Sequence, residues 1–180
     1  MTFRVLAVCT GNICRSPLVE RLLQQQLPDI TVESAGTGAL VGEPMQRGSQ
    51  TILERHGGDA SGFEARALTP EMVARADLVL ALTRRHRSAV VQLHPRATRY
   101  TFTLRELARL APQVTPLPGE TRDARLRALV PAVASRRGFE PVPDPADDDV
   151  IDPYRRGQAV YDEMAGYVVP AVSALVDAVR

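Results

Sequence analysis

The chain has 180 residues, 44% of them hydrophobic, with 22 basic side chains against 21 acidic ones and a formal charge of +1. That balance favours neither nucleic acid nor a membrane surface, and the apolar runs stop well short of the ~20 residues a membrane helix needs. Every basic residue is Arg, so a P-loop lysine, a Schiff-base lysine and a kinase lysine are all excluded.

In chain order, Phe3 to Cys9 reads as a buried strand, and Ser16 to Leu27 follows with Leu18, Val19, Leu22, Leu23 and Leu27 at helical spacing. Thr31 to Ala35 predicts a second strand, then the glycine-rich turn Gly36-Thr37-Gly38 and a helix from Met45 to His56 closed by Gly57-Gly58. Asp77 to Leu82 is a third strand, Thr83 caps a helix running to Leu93, and Thr98 to Phe102 is a fourth strand. Strands alternating with helices predict an α/β fold, a parallel sheet covered on both faces, with ligands bound beyond the carboxyl ends of the strands. From Ala111 to Val150 the chain turns proline-rich and charged, with a helix near Arg122 to Arg137 and an acidic run from Pro141 to Asp149. This stretch reads as an insertion within a single domain spanning 1–180. Gln158 to Val179 closes the chain as a helix in which Pro170 predicts a kink.

The chemistry concentrates at the first strand's end. The two cysteines, Cys9 and Cys14, lie in one short loop, which is no disulfide scaffold. Gly11 and Asn12 tolerate positive φ, so the backbone between Cys9 and Arg15 is expected to curl until its N–H groups form an anion nest. Ser16 suits an N-cap and Pro17 a first helical position, adding the helix's own N–H groups. Such surroundings bind phosphate and favour a thiolate, which makes Cys9 a nucleophile. Arg15 is placed to fold back and grip two phosphoryl oxygens with its planar fork. An aryl leaving group then needs an acid, and Asp144, Asp147, Asp148, Asp149 and Asp152 are all candidates by charge.

The segment CTGNICRSP from Cys9 to Pro17, Ser34-Ala35-Gly36-Thr37, and Asp152-Pro153-Tyr154 near the C-terminus resemble the low-molecular-weight protein tyrosine phosphatase family. The resemblance implies a four-stranded parallel twisted sheet of flavodoxin-like type and hydrolysis of phosphotyrosine through a phosphocysteine, without cofactor or metal. It selects Asp152 as general acid and places Ile13 and Tyr154 as pocket walls. It makes Thr10, Gly11, Asn12, Ile13, Cys14 and Ser16 the substrate-holding loop, in which Asn12 and Ser16 support the thiolate. It also implies a protective Cys9–Cys14 disulfide under oxidation. Ile13, where related arginine phosphatases carry Thr, favours phosphotyrosine over phosphoarginine. Phe63-Glu64-Ala65-Arg66 departs from the H-x-A-R segment of some relatives, so support of the loop must differ.

The expected partner is a phosphotyrosine-bearing protein, with inorganic phosphate as product, and the expected form is a cytoplasmic monomer that binds neither nucleic acid nor membrane. Arg155 and Arg156 are expected to meet acidic residues of that substrate. Arg84, Arg85 and Arg87 are read as a solvated helix face, Asp144 to Asp149 as a solvated loop, and His56, His86 and His94 as surface or helix-end residues. Arsenate reduction with an external thiol, arginine dephosphorylation and simple phosphate binding are the rival readings.

Overall fold

The computed structural model of the chain describes residues 2–139, 142 and 144–180; Pro141, in the predicted acidic run, lies outside the described residues. β1 (Arg4–Cys9), β2 (Thr31–Gly36), β3 (Leu78–Ala81) and β4 (Thr101–Thr103) form a parallel sheet in the order β2-β1-β3-β4. β1 is buried from its second residue onward because both of its faces are covered. Its side chains alternate between two cores. Val5, Ala7 and Cys9 join the larger core beneath α1 (Arg15–Gln26) and α7 (Gln158–Ala178), while Leu6 and Val8 join a smaller one with Val73, Val79, Val90 and Ala97.

β1 pairs with β2 on one side, Cys9 opposite Gly36, and with β3 on the other, Val8 opposite Ala81. The chain therefore leaves the central strand in one direction and returns on its other side, and the crevice at that switch point opens above Cys9.

The remaining helices are α2 (Arg47–Arg55), α3 (Pro70–Arg75), α4 (Arg84–Leu93), α5 (Leu104–Leu110) and α6 (Arg122–Arg136). Thr83 caps α4 as predicted, its hydroxyl accepting from His86 N at 3.2 Å. The fourth strand sits later than its apolar pattern suggests: Pro95–Arg99 is a 3-10 turn that leaves only Thr101–Thr103 extended. Pro95 opens that turn and its carbonyl accepts from the Thr98 hydroxyl at 2.9 Å. Two short helices escape the sequence reading. α3 is capped by Thr69, and α5 is launched by a Thr103–Glu106 capping box directly off β4. α7 continues through Pro170 as one helix of 21 residues.

Within the segment after Ala111, α6 runs along the amino ends of the strands. Asp123 accepts from Phe3 N at 2.9 Å, Arg127 pairs with Asp77 at 3.3 Å, and Arg122 pairs with Asp29. Arg137, next after α6, bonds Glu106 at 3.0 Å and stacks on Phe102. α6 thus closes the end of the sheet opposite the crevice. The acidic run is solvated only in part: Asp144 and Asp147 are exposed, but Asp148 is buried against Arg109 at 3.4 Å, and Asp149 is held by Arg84. Arg84 and Arg87 are correspondingly engaged, Arg87 with Glu106 at 3.2 Å, and only Arg85 of that group faces solvent. The surplus of Arg on α4 and α5 gives these carboxylates partners that sequence spacing does not reveal. Among the described residues no helix is long and apolar enough to cross a membrane.

Candidate active site

The loop from Cys9 to Arg15 is curled by what holds its carbonyls. Cys9 O accepts from Thr37 N at 2.9 Å, Thr10 O from Gly38 N at 3.0 Å, Gly11 O from Leu40 N at 3.0 Å, and Ile13 O from Gln46 N at 2.7 Å. Cys14 O accepts from the Ser49 hydroxyl at 3.0 Å. A trans peptide points its N–H opposite its carbonyl, so pinning these carbonyls outward turns the intervening N–H groups inward. Among the described residues the amides of Gly11, Asn12, Ile13 and Cys14 donate to no protein group. The result is the anion nest expected from the sequence. Gly36 is required here by contact: a Cβ on it would overlap the Thr10 carbonyl oxygen and Ala39.

Two local expectations are corrected. Asn12 takes the left-handed conformation, φ 55°, and Gly11 does not. α1 begins at Arg15, so Ser16 is inside the first turn and is not the N-cap; that position belongs to Cys14, which makes no side-chain cap. The Ser16 hydroxyl is used elsewhere, 2.9 Å from Cys9 Sγ and 3.0 Å from Asn12 Nδ2.

The direction of that contact can be read from the network. Asn12 Oδ1 accepts from Arg66 N at 2.8 Å, which fixes the amide so that Nδ2 donates to both Ser16 Oγ and Ser34 Oγ, the latter at 2.8 Å. The Ser34 hydroxyl donates to Glu20 Oε2 at 2.5 Å. Ser16 accepts from Asn12 and keeps its one proton, which a Cys9 thiolate, having no proton of its own, accepts. Arg66 also donates Nε to Ser34 O at 2.9 Å, so the FEAR segment still braces the loop. Burial raises the pKa of the Glu20 carboxyl against the lowering effects of Ser34, Arg66 and Arg21.

His86 is not a surface residue. It is 4% exposed, with Nε2 2.8 Å from Thr10 Oγ1 and Nδ1 2.9 Å from Thr83 Oγ1. Burial, then the charge of Arg15, pushes its pKa down to about 4. A neutral imidazole thus grips the loop residue next to Cys9, supplying histidine support from α4 where Phe63 supplies none. Nothing local marked it; only the fold of α4 over the loop brings it there.

Arg15 is 4% exposed and reaches under the loop. Its Nη1 donates to Val150 O at 3.1 Å and Nη2 to Asp152 Oδ2 at 2.8 Å, while Nε is buried without a partner. A cavity of about 140 Å³ opens over Cys9, lined by Thr10, Gly11, Ile13, Cys14, Arg15, Gly38, Leu40, Asp152 and Tyr154. Asn12 and Ser16 lie fully buried beneath it. Leu40, at the rim and 40% exposed, was missed because its loop carries no motif. Asp144, the other Asp-Pro carboxylate, caps its own 3-10 turn through Ala146 N at 2.8 Å and does not line the cavity.

Cys9 and Cys14 are both free thiols, and Cys14 is pushed up to about 11 by burial and by the nearby charges of Cys9 and Asp152, against the lowering hydrogen bond from Tyr161. Tyr161 Oη lies 3.5 Å from Cys14 Sγ. At the rim Arg155 has φ 60° and stacks its guanidinium 5.2 Å from the Tyr154 ring. Neither Arg155 nor Arg156 is ion-paired among the described residues, and no group of three metal-ligating side chains occurs among them.

Comparison with known proteins agrees with this geometry. The chain is 42% identical over 103 residues to the Probable low molecular weight protein-tyrosine-phosphatase EpsP of Ralstonia nicotianae, covering 57% of this chain and 71% of that one. The Erwinia amylovora tyrosine phosphatase amsI superposes with a TM-score of 0.73 at 24% identity, covering 99% of this chain and 94% of that one, a likeness of fold. The YwlE arginine phosphatase of Geobacillus stearothermophilus superposes at 0.70 with 27% identity, covering 97% and 91%. The model of the family described as Low molecular weight phosphotyrosine protein phosphatase matches residues 4–114, the span that contains the sheet, the curled loop and its braces. A cysteine loop built this way, matched over that span, makes the chain a member of the low molecular weight phosphotyrosine protein phosphatase family.

Proposed function

We propose that the chain hydrolyses phosphotyrosine in protein substrates through a phosphocysteine. The observation that carries this reading is the meeting of Cys9, Arg15 and Asp152 at one cavity. The Cys9 thiolate attacks phosphorus from the nest floor while the inward N–H groups and the Arg15 fork hold the phosphoryl oxygens. As the bond to the tyrosine oxygen breaks, Asp152 gives that oxygen its proton. In the second step the Asp152 carboxylate takes a proton from water, the water attacks the phosphocysteine, and inorganic phosphate leaves with Cys9 restored. Ile13, Leu40 and Tyr154 offer apolar flanks to an aromatic ring, which supports phosphotyrosine over phosphoarginine.

We further infer a monomeric, cytoplasmic protein in which 1–180 is one phosphatase domain and 111–150 an insertion; the family match that ends at residue 114 and the packing of α6 across the strand ends support the last point. Metal-free turnover of p-nitrophenyl phosphate and a phosphotyrosine peptide tests the reaction. Turnover abolished by Cys9→Ser is expected. A folded wild type that leaves both substrates intact, or that cleaves only phosphoarginine or reduces arsenate with added thiol, refutes it.

A further inference from the structure

We propose that Asp149, clasped by Arg84 at the start of α4, is the positioning residue that sets the reach of Asp152 over Cys9. The inference rests on the reading of Asp152 as general acid.

Asp149 Oδ1 accepts from Arg84 N at 2.7 Å and from Arg84 Nε at 3.3 Å, and Oδ2 accepts from Nη2 at 3.2 Å. The residue's own carbonyl accepts from Arg105 Nη1 of α5 at 3.1 Å. Val150 N then donates to Leu82 O at 2.9 Å, just beyond β3, and Val150 O accepts from Arg15 Nη1. Two consecutive residues thus supply four elements' tethers to the acid-bearing segment: α4, α5, the end of β3 and Arg15 of α1. Past these two residues, among the described residues, the Asp152 side chain hydrogen-bonds only Arg15 and the N–H of Tyr154, at 3.1 Å. It is half exposed, between Ile151, which packs on the core, and the buried Pro153.

The same turn of α4 holds the nucleophile's loop. Thr83 and His86 flank Arg84, and His86 grips Thr10. One rigid helical turn therefore fastens both reacting partners, the cysteine loop through His86 and the acid segment through Arg84. Asp149 and Thr83 divide the capping of α4: Asp149 accepts from Arg84 N and the Thr83 hydroxyl from His86 N, so the clasp joins the acid segment to the helix start itself. The Asp149 carboxylate is well suited to a permanent clasp: burial pushes its pKa up, but the hydrogen bonds and charge of Arg84 outweigh this and hold it below the ordinary value. A misplacement of about 1 Å suffices to cost about a hundredfold in rate, so such a clasp has kinetic weight without touching substrate.

The test compares Asp149→Ala, Asp149→Asn, Arg84→Ala and Asp152→Ala on aryl phosphates whose leaving groups range from p-nitrophenol to phenol, and on a phosphotyrosine peptide. If Asp149 acts through Asp152, Asp149→Ala and Arg84→Ala lower kcat by about 10- to 100-fold for phenyl phosphate and phosphotyrosine. The loss for p-nitrophenyl phosphate is smaller, KM is unchanged, Asp149→Asn recovers part of the rate by keeping an acceptor for Arg84 N, and adding either change to Asp152→Ala costs nothing further. Equal losses on all leaving groups, or losses additive with Asp152→Ala, overturn the proposal while leaving the phosphatase reading intact. Amide exchange gives a readout independent of turnover: faster exchange confined to 150–154 in Asp149→Ala supports the clasp, and unchanged exchange there overturns it.

Discussion

Arg15 and Asp152 meet through one guanidinium nitrogen and one carboxylate oxygen, 2.8 Å apart, although 137 residues separate them in sequence. The arginine is almost wholly buried and the aspartate half exposed, so the rigid partner orients the mobile one. Val150 O holds the second nitrogen of the fork, so the guanidinium plane is set before any phosphate arrives.

Arg15→Ala is therefore expected to lower kcat/KM by at least about 10³-fold, and Arg15→Lys to recover little, because an ammonium cannot replace a planar fork. Asp152→Ala should cost about 10² to 10⁴ on phosphotyrosine and less on p-nitrophenyl phosphate, with Asp144→Ala near wild type. Steady-state rates on both substrates check the assignment; equal effects of the two aspartates would refute it.

Asn12 makes three hydrogen bonds, two of them buried, and sits at φ 55°. Asn12→Ala leaves Arg66 N without an acceptor, both serines without their donor, and a methyl side chain in a left-handed conformation. The expected loss is roughly 3 to 4 kcal/mol in urea denaturation, at about 1 kcal/mol per bond plus the backbone cost. Ser16→Ala should instead keep the fold and lower activity by freeing Cys9 Sγ of its donor.

His86 adds an acid sensitivity whose sign follows from its burial. The folded ring titrates near 4, whereas an exposed histidine titrates near about 6.5. As pH falls the unfolded chain takes up the proton first, so stability is intact above the unfolded value and drains away through the window down to 4. His86→Gln, which can still bond Thr10, should lose less over that window, by up to roughly 3 kcal/mol. Urea midpoints of the two proteins between pH 4 and 7.5 would overlay if the ring did not titrate this way.

Cys14 predicts a pH-dependent rescue from oxidation. Hydrogen peroxide is expected to convert the Cys9 thiolate to a sulfenic acid, releasing the peroxide's other oxygen as hydroxide; attack by the Cys14 thiolate then forms the disulfide and expels the sulfenic oxygen as a second hydroxide. Because Cys14 is pushed up to about 11, its thiolate fraction and hence disulfide formation should climb about tenfold per pH unit from 7 to 9. Tyr161→Phe removes a bond that lowers the Cys14 value and should slow the step. Cys14→Ser should end in sulfinic acid, with activity that dithiothreitol does not restore; mass spectrometry distinguishes the products.

Arg155 and Arg156, which have no ion pair among the described residues, stand beside a pocket wall and should favour acidic residues flanking phosphotyrosine. Arg155→Glu with Arg156→Glu is expected to lower kcat/KM for an acid-flanked phosphopeptide several-fold, more at low salt than at high salt. Equal effects on acid- and base-flanked peptides would remove the idea.

Much of the architecture was legible because it is local. β1 announced itself as an unbroken apolar run, α1 and α4 by helical spacing and a threonine cap, and the cysteine loop by the residue types a phosphate nest requires. α3 and α5 were not legible: each is shorter than two full periods, and each exists because a cap and a neighbouring strand hold it. The turn at Pro95–Arg99 took the first two residues, Thr98 and Arg99, of the expected fourth strand.

The sequence by itself determined that Cys9 and Arg15 share a loop, because six residues of chain leave them nowhere else to go. Charge alone left five nearby aspartates open and the Asp152-Pro153-Tyr154 resemblance picked Asp152, but neither could show that His86 turns inward or find the clasp of Arg84 on Asp149, 65 residues away. Those outcomes depend on which side chains the sheet and α4 bring within about 3 Å, and hydrogen bonding discriminates at that distance while sequence spacing does not.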